Sequence, residues 1–208
     1  MPQKPKRQPP SRPLVSAPYQ LLWVLIGLLL TIGGNFVEAY ITELPWNWSQ
    51  QGIQTYSLGV TYQIGAVLLV GCLGGKNAGA FSQIAYLVIG LAWLPVFSQG
   101  GGLGYLKHPT FGYLLGFIPG AWVCGYLAFR RPPQLEFLAC SCVGGLLSIH
   151  ITGLSYLIVS YCFRWANAEA LPLLQACLTY SFDPLAGQLA VVCAVTVVAF
   201  TLRQLMFY

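Results

Sequence analysis

Four polar residues interrupt long apolar stretches of this chain, and they are the first candidates for chemistry. Gln63, Gln83 and Gln188 offer amide donors and acceptors, and His150 offers an imidazole near the middle of its stretch. Polar side chains in such surroundings need hydrogen-bond partners. Each is therefore either a contact between helices, the commoner role for an amide, or a contact to a ligand. No second ionisable residue shares the depth of His150, which argues against a proton relay.

Two segments between the apolar stretches supply further candidates. The glycine-rich run 98–104 is either a flexible turn or a segment whose free N–H groups, at Gly100–Gly102, face a polar or anionic ligand. Asp183 precedes Pro184 at the start of the last apolar stretch. A carboxylate at that position either caps a helix or accepts hydrogen bonds from ligand N–H groups.

Familiar catalytic and nucleotide-binding patterns are absent from the sequence. A P-loop requires Ser or Thr after Gly-Lys, but Lys76 is followed by Asn77. There is no Gly-x-Ser-x-Gly, no His-Glu-x-x-His and no Cys-x-x-Cys. Cys162 and Cys177 share one predicted side, so a disulfide between them is an open alternative. We expect a protein that is not an enzyme and requires no cofactor.

The elements that must position these candidates are long and apolar. Of the 208 residues, 56% are hydrophobic and only 7% are charged, whereas a soluble domain carries about a quarter charged residues. Six gaps of 19 to 32 residues contain no charge. Because a membrane-spanning helix needs about 20 mostly apolar residues, the composition predicts an all-α polytopic membrane protein.

Hydropathy and charge together predict the topology. Six transmembrane helices are expected at about 19–39, 56–74, 78–97, 111–129, 135–161 and 184–203. With the N-terminus inside, eight Lys and Arg residues face the cytoplasm and only Lys107 and Arg164 face outward. This bias predicts that both termini are cytoplasmic. Residues 1–18 are expected to form a disordered basic cytoplasmic tail against the lipid bilayer, followed by one transmembrane domain at 19–208. The net charge of +5 thus reflects topology, and nucleic-acid binding is not expected.

Small residues recur at helical spacing within the predicted fourth helix. Gly112, Gly116, Gly120 and Cys124 follow one another at intervals of four residues. Such stripes let helices approach closely. We expect internal packing here, with a docking face for another membrane subunit as the alternative.

Several segments together resemble the BioY family. The clearest are YLVIGLAWLPVF at 86–97 and PTFGYLLGF at 109–117, accompanied by VTYQIG at 60–65, GCLG at 71–74 and HITGLSYL at 150–157. BioY proteins are the biotin-binding membrane subunits, or S components, of energy-coupling factor (ECF) vitamin transporters. The resemblance implies a multi-pass protein of the plasma (inner) membrane of a prokaryote that binds biotin from the outside. It also implies a transmembrane scaffold subunit and two ATPase subunits as partners for inward delivery.

The sequence departs from the family pattern at two places. The family's last helix usually begins Pro-Gly-Asp-Leu-x-Lys; the Asp is retained as Asp183, but Ala186 stands at the Lys position, so the expected ligand-facing cation is missing. The usual Gly-Pro-Thr-Gly-Gly-Tyr retains Thr110 and Tyr113 but has two glycines changed. Some members hold an asparagine in the glycine loop, where Gln99 is the nearest equivalent here.

The chemistry of biotin suggests roles for these positions. Its ureido ring needs an acceptor, which Asp183 would supply, and its carboxylate needs donors such as the glycine-loop N–H groups or Lys107. The predicted ligand-binding residues are Gln63, Tyr86, Gln99, Gly100, Gly101, Lys107, Thr110, Tyr113, Tyr156 and Asp183. The alternatives are an S component for another vitamin, such as thiamine or riboflavin, and a membrane assembly protein without a transport role.

Overall fold

The computed structural model describes residues 17–43, 52–92, 94–163, 165 and 171–207, and this part of the chain is mostly helical. The helices are α1 (Ala17–Phe36), α2 (Gln63–Ala92), α3 (Phe111–Ala128), α4 (Leu135–Cys162), α5 (Leu173–Cys177) and α6 (Leu185–Phe207), with a 3-10 helix at Leu103–Lys107 and a π-helical turn at Leu178–Phe182. Five helical stretches among the described residues are long and apolar enough to cross a membrane. The predicted tail lies outside the described residues except for Ala17 and Pro18, which begin α1.

Helix α2 folds back on itself at Gly75. This residue has a left-handed φ of 81° with ψ of 177°, so the helix is broken there. A Cβ built on Gly79 would lie 3.3 Å from the Cα of Gly71, although eight residues of straight helix extend about 12 Å. At the far ends, the amide nitrogen of Gln63 lies 2.7 Å from the hydroxyl of Tyr86. The halves 63–74 and 76–92 therefore form an antiparallel helical hairpin, and its turn falls between the second and third predicted helices, 56–74 and 78–97.

A two-stranded antiparallel sheet separates α1 from α2, so the prediction of an all-α protein is wrong at this point. Strand β1 (Glu38–Thr42) pairs with β2 (Thr55–Thr61), with Tyr40 opposite Ser57. Averaged hydropathy does not distinguish an alternating strand from a helix end, which explains why the first predicted span ran too far and the second began too early. Hydrogen bonds from Ser57 and then Tyr40 lower the pKa of the exposed Glu38 carboxyl.

The later helices follow the predicted spans closely. The fourth and fifth predicted spans differ from α3 and α4 by one residue at their ends, and the sixth matches α6 at its start to within one residue. The segment 171–182, predicted as a loop, contains α5 and the π-helical turn instead. Cys162 and Cys177 are free thiols, so the alternative of a disulfide between them is not realised.

Glycines set the closest helix contacts. A Cβ on Gly112 would lie 2.3 Å from the Cβ of Tyr156, and one on Gly116 would lie 2.7 Å from the carbonyl oxygen of Ile149. Real Cβ atoms do not approach so closely, so α3 can pack against α4 only through glycine. The glycine stripe of α3 therefore serves internal packing, as expected.

Candidate ligand-binding cavity

A cavity of about 310 Å³ opens at the end of the bundle where α3 and α6 begin. Small-molecule sites are usually concave and mostly apolar, with volumes from about 300 Å³ upward. Its wall is contributed by the end of β2, the start of α2, the loop before the 3-10 helix, and the starts of α3 and α6. The lining residues are Gly59, Val60, Thr61, Gln63, Ile64, Ser98, Gln99, Tyr105, Thr110, Tyr113, Leu114, Phe117, Thr179, Tyr180, Pro184 and Gln188. These lining side chains are uncharged amides, hydroxyls, aromatic rings and apolar groups.

Gln63 presents a hydrogen-bond acceptor in this wall. Its amide nitrogen lies 2.7 Å from the Tyr86 hydroxyl, and that hydroxyl donates its single hydrogen to the carbonyl of Val96 at 3.1 Å. Because the Tyr86 hydrogen is already used, Gln63 must turn its NH2 group toward Tyr86. Its carbonyl oxygen receives no hydrogen bond from the described residues and is left for a ligand.

Gln188 presents the opposite chemistry, because His150 lies behind it. The imidazole Nε2 lies 2.7 Å from the amide oxygen of Gln188, and Nδ1 lies 3.3 Å from the hydroxyl of Ser181. With the Gln188 oxygen as acceptor, the ring carries its proton on Nε2, and Nδ1 accepts from Ser181. Ser181 in turn accepts from Tyr113, whose hydroxyl is 2.6 Å away. The NH2 group of Gln188 is thereby left as a donor in the wall.

A third group of polar side chains surrounds Thr110. Its hydroxyl lies 3.1 Å from the hydroxyl of Tyr105 and 2.7 Å from Nδ1 of His108. The rings of Tyr105 and His108 stack with centroids 5.2 Å apart. Burial raises the pKa of Tyr105 and lowers the pKa of His108. Both groups are therefore neutral at pH 7, and this side of the cavity carries no charge.

Two of the backbone N–H groups of the glycine loop are not free, in contrast to the prediction from the sequence. The N–H of Gly100 donates to Phe97, and the N–H of Gly102 donates to Gly90 at the end of α2. A Cβ on Gly101 would lie 2.5 Å from the carbonyl oxygen of Leu94. The expectation of free N–H groups is therefore wrong for Gly100 and Gly102. The loop glycines pack the loop against α2, which places Gln99 in the cavity wall.

The structure brings four of the ten predicted site residues into the wall of the cavity: Gln63, Gln99, Thr110 and Tyr113. Two more lie just behind it. Tyr86 is fully buried and contacts Gln63, whereas Tyr156 packs against Phe111 and donates a hydrogen bond to the carbonyl of Leu106.

The remaining four predicted residues lie outside the wall. Gly100 and Gly101 belong to the packed loop, and Lys107 is exposed at the end of the 3-10 helix. Asp183 is also exposed, and it is adjacent in sequence to Pro184, which does line the cavity. A ligand role for these four residues stays a prediction.

Several lining residues were not among the predicted site residues. Tyr105, Thr179 and Tyr180 lie in segments that hydropathy treats as loops, and nothing in their spacing marks them. Gln188 had a usable signal, because it is an isolated amide within an apolar stretch. His150 had the same signal, and the structure gives it the hydrogen-bonded, inward-facing position that such a residue requires.

The sequence of this chain is similar to those of known proteins over almost its whole length. The sequence profile of the BioY family matches residues 20–207, nearly the whole of the described chain. The chain belongs to the BioY family. One BioY relative, a probable biotin transporter of Lysinibacillus sphaericus, is 45% identical over 152 residues, covering 72% of this chain and 69% of the relative. The biotin transporter BioY of Rhizobium etli is 29% identical over 153 residues, covering 69% and 72%.

The fold is also that of a solved structure. The crystal structure of the S-component for biotin from an ECF-type ABC transporter superposes with a TM-score of 0.65. It covers 92% of this chain and 95% of the other, at 17% sequence identity. The resemblance to BioY drawn from the sequence segments is thus confirmed by the family profile, and the fold is shared with that solved S-component.

Proposed function

We propose that this chain is the biotin-binding S component of an ECF-type vitamin transporter. Membership of the BioY family supports this function, and its relatives include proteins described as biotin transporters. The observation that carries the proposal for this chain is that Gln63 and Gln188 line the same uncharged cavity. Gln63 offers an amide oxygen there, and Gln188 offers an NH2 group.

This pairing suits the ureido ring of biotin. A cyclic urea has two N–H donors and one carbonyl acceptor, so it requires acceptors and donors in the same small space. The Gln63 carbonyl would accept from a ureido N–H, and the Gln188 NH2 group would donate to the ureido oxygen. Tyr113 and Phe117 would contact the apolar thioether ring. Asp183, at the mouth beside Pro184, would add a second acceptor once its side chain turned inward.

The valerate carboxylate would lie nearest the opening. The described cavity wall contains no Lys, Arg or ionised His, so neutral donors such as Thr110 and Gln99 would meet the carboxylate there. Lys107 is exposed on the neighbouring 3-10 helix and would contribute through the solvent. Among the glycine-loop N–H groups first predicted to contact the carboxylate, that of Gly100 is already used by the loop itself.

We further propose six membrane passes with both termini in the cytoplasm. The fold-back at Gly75 supports two passes for α2, and α1, α3, α4 and α6 supply the other four. Positive charges cluster at the end of the bundle opposite the cavity: Lys76, Arg130, Arg131 and Arg203. By the positive-inside rule this end faces the cytoplasm, so the cavity opens outward. The membrane is the plasma (inner) membrane of a prokaryote.

Partners would supply the energy for transport. The sequence contains no P-loop, so ATP hydrolysis would reside on two ATPase subunits joined to a transmembrane scaffold subunit. This chain would bind biotin from outside and deliver it inward within that assembly, without chemical change to the vitamin.

Calorimetry on the purified protein in detergent tests the proposed function. Biotin is expected to bind with a stoichiometry of one per chain and to raise the melting temperature. Thiamine and riboflavin, the ligands of the alternative S components, are expected to do neither. Absence of biotin binding by well-folded protein, or equal binding of another vitamin, would overturn the proposal.

A further inference from the structure

Three buried thiols from three helical segments meet at the end of the bundle opposite the cavity. Cys72 lies in the first half of α2, Cys124 in α3 and Cys142 in α4. The sulfur of Cys72 is 3.5 Å from that of Cys124 and 3.6 Å from that of Cys142, and all three lie within 4.8 Å of one another. All three side chains are fully buried. The binding of a vitamin at the other end of the bundle makes no use of them.

The spacing of these sulfurs is close to that of a metal centre. At a tetrahedral ion with Zn–S bonds of about 2.3 Å, neighbouring sulfurs are separated by about 3.8 Å. Thiolates are soft ligands and favour thiophilic cations over Mg²⁺ or Ca²⁺. We propose that Cys72, Cys124 and Cys142 form a binding site for one thiophilic divalent d¹⁰ cation, of the Zn²⁺ and Cd²⁺ class.

The charges around the cluster favour a divalent ion. Binding releases one proton from each thiol to the solvent, so a divalent ion with three thiolates carries a net charge of −1. The guanidinium of Arg203 is buried and donates a 2.8 Å hydrogen bond to the carbonyl of Ala128, one turn beyond Cys124. Its positive charge offsets the charge of the bound site, which a low-dielectric interior requires.

The cluster can also be approached from this end of the bundle. A pocket of about 490 Å³ at this end of the bundle is lined by Gly74 and Gly125, and also by Lys76 and Arg130. The two glycines are two residues from Cys72 and one residue from Cys124, so the pocket lies close to the cluster.

Cadmium titration of the full-length protein tests this site. The other four cysteines are first changed to serine: Cys140, Cys162, Cys177 and Cys193. This variant is expected to bind one Cd²⁺ per chain, with an ultraviolet thiolate-to-cadmium charge-transfer band and release of three protons. Adding Cys72→Ser is expected to abolish the band, and Cys142→Ala is expected to do the same independently. Retained helical circular dichroism confirms that each variant is folded.

The complementary variant supplies the matched control. Changing only Cys72, Cys124 and Cys142 leaves the four other thiols in place, and this protein is expected to show no stoichiometric band. Absence of the band in the variant that retains the three buried thiols would overturn the proposal and leave close helix packing as their role. A band that survives Cys72→Ser in that variant would overturn it equally. None of these outcomes depends on biotin, so the proposed transport function is tested separately.

Discussion

The imidazole Nε2 of His150 lies 2.7 Å from the amide oxygen of Gln188. Through this contact a residue that does not line the cavity decides what the cavity presents to its ligand. A histidine in α4 fixes an amide in α6, and Ser181 extends the connection to Tyr113 in α3. Three helices thus share one hydrogen-bonded chain at the wall of the cavity.

Replacing His150 with Phe is expected to weaken biotin binding about 2- to 12-fold, since a typical hydrogen bond contributes about 0.5–1.5 kcal/mol. A planar aromatic ring is kept, but Gln188 is released to rotate. Calorimetry on the purified variant measures the change. Thr152→Val on the same helix is the control, because the Thr152 hydroxyl bonds only to the carbonyl of Ser148 among the described residues. Equal affinity of the His150 variant and wild type would disprove the positioning role.

Replacing Gln63 with Met is expected to weaken biotin binding by at least about fivefold, because an unsatisfied buried group costs about 1–3 kcal/mol. The variant removes the acceptor offered to the ureido N–H. Gln83→Met provides a matched comparison, since Gln83 is a buried amide of the same helix that bonds to Thr31 and Ser82 and does not line the cavity. Biotin-binding constants are measured for both variants. Equal losses of affinity would point to a general effect on stability and contradict the role of Gln63 as acceptor.

Asp183→Asn is expected to weaken biotin binding at least about tenfold, corresponding to about 1.4 kcal/mol for a lost charge-assisted contact. The structure places this carboxyl outside the wall but beside Pro184, so the contact requires its side chain to turn inward. Titration of biotin into the variant decides the matter. Wild-type affinity would remove Asp183 from the site and leave Gln63 as the principal acceptor.

Gly101→Ala is expected to lower the free energy of unfolding by about 1–3 kcal/mol, since the new methyl would overlap the carbonyl of Leu94. Displacing this loop would also move Gln99 and weaken biotin binding. Gly104→Ala is the control, because a methyl group added there would find nothing within 4 Å among the described residues. Thermal melting and calorimetry report both effects, and similar behaviour of the two variants would contradict the packing argument.

Asn77→Cys tests whether α2 crosses the membrane twice. In the background lacking the four non-clustered cysteines, Asn77→Cys is expected to react with a membrane-impermeant maleimide only in inverted vesicles. Gly104→Cys, also exposed, is expected to react in intact cells. If α2 crossed once as a straight rod, residue 77 would lie within the bilayer and resist labelling from both sides.

The sequence was most informative where the chain is uniformly apolar. The spans that became α3 and α4 could be placed to within a residue, because charged residues and prolines bound them. The β hairpin escaped detection because residues such as Tyr40 and Val60 raise the average hydropathy whatever their backbone conformation. Residues 171–182 escaped because their helical turns are too short to give a periodic signal.

For the candidate site, the sequence indicates which residues to consider more readily than which groups they bond to. An isolated amide such as Gln63 is conspicuous in apolar sequence, but which of its two polar ends faces a ligand depends on Tyr86 and Val96. The convergence of Cys72, Cys124 and Cys142 was equally hidden, because the three lie on separate helical segments and form no local motif. Both features arise from tertiary packing and leave no trace in spacing.

The reversal at Gly75 restricts how this protein can be altered. A Cβ on Gly125 would lie 2.5 Å from the backbone nitrogen of Lys76, so the turn packs directly against the backbone of α3 and has no room to move closer. Tight helical turns are attractive places to insert an epitope or a fluorescent reporter. Here even a short insertion would separate the α2 hairpin from α3. Natural insertions at this turn are therefore expected to be rare.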